Sequence, residues 1–133
     1  MKKLLVVLGC VLWSLFATAQ VENCMIRSRY TDFYEYDYTL EEYRTTGGDW
    51  MNCYIMIDID YYVIEIPSYD PATVYWEYMK QTDDRDEVYE TADGRKVVFR
   101  YSTQDVIFFY EYNEYNNRYD KCMVLSKTSK IDE

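Results

Sequence analysis

Apolar and polar positions alternate along "CYIMIDIDYYVIEIP", Cys53 to Pro67, and then lose step. Cys53, Ile55, Ile57 and Ile59 occupy odd positions with Asp58 and Asp60 between them, the signature of a strand with one buried face. Past Tyr61 the apolar positions become Tyr62, Ile64 and Ile66, and Glu65 takes the odd side. A two-residue side-chain period cannot change phase inside a regular strand, so the chain must bulge or turn near Asp60 and Tyr61. As one strand, these fifteen residues would span about 50 Å, more than a compact domain of this size can use. The pattern therefore predicts a hairpin.

The same period continues downstream. In "TVYWEYMK" Val74, Trp76 and Tyr78 alternate against Glu77 and Lys80, after Pro67 and Pro71, which suit strand ends. "QTDDRD" reads as a loop. "EVYETADGRKVVFRY" carries Asp93-Gly94 between two alternating runs, a strong hairpin signal, and its pairing predicts Val88, Val97, Phe99 and Tyr101 on the core face. "VIFFYEYN" and "RYDKCMVLS" flank "EYNN" as a further hairpin. Near the start, Tyr34, Tyr36 and Tyr38 alternate as a strand. Thr39 followed by Glu42, with Gly47 beyond, has the pattern of a capping box and a helix stop, which predicts a short helix or helical turn near residues 40–46.

These readings add up to an all-β fold: one small antiparallel meander of about seven or eight strands, closed or nearly closed as a barrel, with a two-sheet sandwich as the alternative. Lys2 and Lys3, the apolar run Leu4 to Phe16 and the site Ala17-Thr18-Ala19 describe a cleaved secretory signal. The competing lipoprotein reading would lipidate Cys10 in "VLGC". Residues 1–19 are thus read as the signal and residues 20–133 as a single β domain, secreted or periplasmic, with no transmembrane anchor once the signal is removed.

Removing the signal takes two lysines and no acids, leaving 14 − 2 = 12 basic against 24 acidic residues, a net charge of −12. So acidic a surface repels phosphate backbones, and nucleic acid is excluded as a partner. Cys24, Cys53 and Cys122 remain after the signal, and export permits a disulfide. Closure of the meander suggests Cys24 with Cys122, a loop worth about 4 to 5 kcal/mol in chain entropy, and leaves Cys53 as a free buried thiol among isoleucines.

No histidine occurs, which removes Ser-His-Asp and Cys-His catalysis, and no Gly-rich phosphate loop or Cys-x-x-Cys motif is present. The acidic stretches "DIDY" and "DDRDE" do not have EF-hand spacing. The expectation is a non-catalytic domain without cofactor or metal. Seventeen tyrosines mark the chain instead. Trp76, Tyr78, Tyr110 and Tyr112 are the candidate ligand-binding aromatics, for a carbohydrate, a peptide or another protein. An exported closed meander also resembles a small lipocalin-type barrel in outline, without its Gly-x-Trp signature, and the closed-meander reading itself gives the alternative of an interior cavity for a small apolar ligand. A ligand-free structural protein of the envelope is the third reading.

Overall fold

The structure, a computed structural model, describes residues 23–131. The signal segment, its cleavage point and Cys10 lie outside the described residues. Eight strands follow one another: β1 (Cys24–Asp37), β2 (Glu42–Ile57), β3 (Tyr61–Glu65), β4 (Ala72–Gln81), β5 (Glu87–Thr91), β6 (Lys96–Arg100), β7 (Asp105–Asn113) and β8 (Arg118–Ile131). Each pairs antiparallel with the next, and β8 pairs with β1, so the meander closes into a single ring rather than a sandwich.

The opening stretch turns at residues 58–60 and returns with Ile57 opposite Tyr62 and Ile55 opposite Ile64. The turn is held by Asp58 N donating to Tyr61 O at 2.9 Å and Ile59 N donating to the Asp58 carboxylate at 2.7 Å. This replaces the Asn-Gly chemistry usual at a tight hairpin. At Asp93-Gly94 the glycine has φ +87°, a left-handed conformation that favours it there.

Interior positions carry the core. Cys53, Ile55, Ile57, Val97, Val106 and Leu125 are buried, and Cys53 Sγ lies 3.6 Å from the Thr31 hydroxyl. Trp76 stacks on Tyr89 with centroids 4.2 Å apart, while Tyr62 and Phe99 approach Trp76 at 4.8 and 5.8 Å. These rings pack against one another in the core that also holds Ile55, Val97 and Leu125.

Three sequence expectations are corrected. Residues 38–41 form a turn and β2 begins at Glu42, so no helix occupies residues 40–46. The Asp37 carboxylate accepts from Thr39 N at 2.8 Å and Leu40 N at 3.0 Å, capping the turn from its other end. The long β1 pairing then takes the chain, with Gly47 inside β2 opposite Phe33.

The Cys24 to Cys122 bridge is not made. Closure does bring the first and last strands together, but Met25 faces Ile131 and Tyr34 faces Cys122. Cys24 and Cys122 are therefore offset by 34 − 24 = 10 residues of β1, about 30 Å, where a disulfide needs Cα atoms about 4.4 to 6.8 Å apart.

The core face of β5 is displaced by one residue. Tyr89 faces Val97 and Glu87 faces Phe99, so Glu87, Tyr89 and Thr91 point inward, and Val88 pairs with Val98 on the other side.

Strand length sets the shape. β3, β5 and β6 have five residues each, whereas β1, β2 and β8 have 14, 16 and 14. The longer strands overshoot: β2 before Tyr54 pairs with β1 alone, and β7 after Phe108 pairs with β8 alone. The result is a four-stranded extension in the order β2, β1, β8, β7. It is tied back to the ring where the Tyr119 hydroxyl donates to Gly94 O at 2.6 Å, in the β5–β6 turn.

Candidate functional site

The four aromatics singled out from sequence separate along the fold. Trp76 is only 7% exposed and belongs to the core, with its indole N–H donating to Asp58 O at 3.3 Å. Tyr78 is half-buried beside it, 5.5 Å from the Tyr89 ring. Both share the inward face of β4 with Val74, and the alternation that identified the strand placed them there. Tyr110 is half-buried, and Tyr112, beyond the end of the ring, is 51% exposed. Along β7, exposure rises as the strand leaves the ring and loses its opposite wall, from buried Val106 through Phe108 and Tyr110 to Tyr112.

An aromatic cluster crosses the extension. Tyr38, Tyr36, Tyr43, Phe109, Tyr119 and Tyr112 touch in that order, with successive centroids 4.8, 5.0, 6.1, 5.9 and 5.0 Å apart. Mostly edge-on or tilted, these contacts suit the ring quadrupoles. Register accounts for two of these contacts, because Tyr36 faces Tyr43 across β1–β2 and Tyr112 faces Tyr119 across β7–β8.

Polar tips fix the rings. The Tyr43 hydroxyl donates to Tyr119 O at 2.6 Å, the Tyr112 hydroxyl to Asn117 Oδ1 at 3.2 Å and the Tyr38 hydroxyl to the Asp120 carboxylate. That last bond raises the Tyr38 pKa, while burial raises those of Tyr43 and Tyr119. The Arg118 guanidinium lies 4.1 Å over the Tyr36 ring, a cation–π contact.

A second aromatic corner lies on the same sheet. Tyr30 faces Trp50, with centroids 4.9 Å apart and planes at 68°, and Trp50 is 65% exposed. Asp32 faces Gly48 beside it. In sequence this corner is masked, because "TGGDW" follows a pattern that predicts a helix stop at Gly47. The signal that would have found it is the even-numbered face of β1, on which Tyr30 and Asp32 precede Tyr34 and Tyr36.

Glu87 is a charged residue type buried in the ring. It is 2% exposed and accepts from the Tyr101 hydroxyl at 3.2 Å and the Tyr89 hydroxyl at 3.4 Å. Burial pushes its pKa up to about 7 against those two bonds, which favour the charged form. Next to it Asp86, expected on a solvated loop, is buried and bonded to Arg100 at 3.3 Å. Burial also raises the Cys122 thiol to about 11 and that of Cys53, which disfavours the reactive thiolate in both.

Between β4 and β5 an open depression of about 450 Å3 is lined by Tyr75, Trp76, Glu77, Glu90, Thr91 and Ala92. Among the described residues, no group of three acidic or cysteine side chains is placed to hold a metal ion. No helix there is long and apolar enough to cross a membrane. The chain matches no protein-family model, no curated protein and no solved structure.

Proposed function

We propose that the domain is an exported, non-catalytic binding module that works without a cofactor and holds a carbohydrate, peptide or protein against the aromatic side of its four-stranded extension. The observation that carries this reading is the continuous run of six rings from Tyr38 to Tyr112, held by hydroxyl bonds and left partly open to solvent. Rings of this kind offer large contact area at little entropic cost, because each has only two side-chain torsions and these are already fixed. They also lie outside the closed ring, so their exposure is not needed to complete the core.

The test is to follow tyrosine ring resonances while a panel of soluble oligosaccharides and peptides is added. Shifts confined to the extension, abolished by Tyr36→Ala or Tyr112→Ala with the melting temperature within a few degrees of wild type, are the expected result. If ligand shifts fall only on interior rings, or both variants bind as wild type does, the reading is wrong.

A further inference from the structure

We propose that the corner formed by Trp50, Tyr30, Asp32 and Gly48 is a subsite for one ring of a neutral saccharide. This deepens the binding reading above and rests on it, but uses different side chains. Trp50 stands well exposed, its indole met edge-on by Tyr30 at 4.9 Å and approached by Lys127 Nζ at 6.0 Å from the centroid. Tyr30 and Lys127 thus each meet part of the ring, and most of its surface stays bare.

Gly48 supplies the second observation. Directly opposed residues of paired strands project to one side, so Gly48 and Asp32 share a side, as do Trp50 and Tyr30. A Cβ placed at Gly48 would run into the Asp32 carboxylate, and would stand 2.6 Å from the Tyr30 hydroxyl. Both polar groups therefore lean over the bare glycine backbone beside the indole. Among the described residues, neither the Asp32 carboxylate nor the Tyr30 hydroxyl has a hydrogen-bond partner. Two hydrogen-bonding groups converge there with capacity to spare.

Charge selects the ligand. Asp32 brings a carboxylate to the corner and Lys127 an ammonium, with the Asp49 carboxylate held on Trp50 N, so an anion meets carboxylates and a cation meets the ammonium. A neutral ring bearing hydroxyls satisfies both: its C–H face packs on the indole, and its hydroxyls donate to Asp32 and accept from Lys127 and Tyr30. A peptide strand is the weaker fit. Two amides of β2 are already taken by its own side chains, Gly47 N by the Thr45 hydroxyl at 3.3 Å and Trp50 N by the Asp49 carboxylate at 2.9 Å, which blunts strand addition. From Tyr30 the same face of β1 continues to Tyr34 and Tyr36, so a longer saccharide bound here would run toward the six-ring cluster.

The experiment is an indole N–H titration of the chain from residue 20 onward, whose two tryptophans are Trp50 and Trp76. The probes are hexasaccharides of glucose, mannose, xylose and N-acetylglucosamine, with oligogalacturonate and spermine as the charged comparisons. At least one neutral probe is expected to shift the Trp50 signal saturably while Trp76 stays still. Read by titration calorimetry, which does not need the Trp50 signal, Asp32→Asn and Trp50→Ala should each weaken that probe roughly tenfold or more, with an unchanged melting transition.

Stillness of Trp50 with every neutral probe, tighter binding of spermine or oligogalacturonate, or full affinity in both variants would overturn the subsite. If Tyr36 and Tyr43 respond to a ligand while Trp50 does not, the subsite falls and the wider binding reading stands. If no ring of the extension responds to any saccharide or peptide, both fall.

Discussion

Trp76 and Trp50 are the same side chain on strands of one meander, and their surroundings are opposite. Trp76 lies in the closed ring, stacked on Tyr89 and bounded by Tyr62 and Phe99. Trp50 lies on the extension, met by Tyr30 and by the Lys127 ammonium and still about two-thirds open to water. The difference is made by which side of the strand a residue occupies and by whether an opposite wall exists at that height. Aromatic density alone therefore identifies neither core nor site. The short strands β3, β5 and β6 supply the wall, and where they end the rings on the longer strands are left partly bare.

The largest test of this contrast is a pair of alanine substitutions. Trp76→Ala should cost about 3 to 5 kcal/mol, enough to abolish or severely lower the melting transition, because its cavity cannot close around Tyr89 and Phe99. Trp50→Ala should change stability by about 0.5 kcal/mol or less. Similar losses at the two positions would break the comparison.

Next in size is a pH effect confined to the ring. Glu87 has an ordinary value of 4.5 and a folded pKa of about 7. Below 4.5 the carboxyl is neutral in both states and the fold is unburdened. Between 4.5 and 7 the unfolded chain gives up its proton while the folded chain keeps it, so stability falls as pH rises. Above 7 the loss is complete, roughly 3 kcal/mol, and the curve is flat. Denaturant melts across this range should show that decline, and Glu87→Gln should remove it. A variant as pH-dependent as wild type would show the carboxyl to be better solvated than its burial indicates.

Gly48→Ala should cost about 1 to 3 kcal/mol, since the added methyl must displace Asp32 and Tyr30 and also meets Thr31 O at 3.0 Å. The smallest effect is expected at the link between the two regions. Tyr119→Phe removes the hydroxyl bond to Gly94 O and should lower stability by about 1 kcal/mol, with faster amide exchange at the β5–β6 turn. Unchanged exchange there would show that the link does not restrain the turn.

Much of the fold is legible in the sequence because a two-residue period leaves little freedom. The phase change between Ile57 and Tyr62 requires a reversal, and Asp93-Gly94 marks another. The failures have local causes. At Thr39 to Gly47 a short capping pattern predicts helix, but pairing with β1 from Tyr34 to Asp37 outweighs one turn of helix. Cys24 and Cys122 show a different limit: topology places β1 beside β8, but their register is set by side-chain pairing along the whole strand, which cysteine positions do not encode. Glu87 escapes because a strand pattern assigns charged residues to water, and only its bonds to Tyr89 and Tyr101 reveal the exception. At the candidate site the sequence shows the abundance of tyrosine and the alternation on β1. The meeting of Tyr43 with Phe109 does not show, because those residues lie on strands separated by two others.

The pairing of β8 with β1 also governs the order in which the domain can be assembled. From Met25 opposite Ile131 to Glu35 opposite Lys121, these contacts join residues far apart in sequence, whereas the other seven pairings link consecutive strands. Hairpins can therefore form early and locally, while the seam closes only after the last strand is available, at the loop-closure cost of almost the whole domain. Until then one edge of β1 presents unpaired amides and carbonyls. A chain caught at that stage has most of its native turns and an open flank on which another strand can dock, so the seam is where folding and misassembly compete.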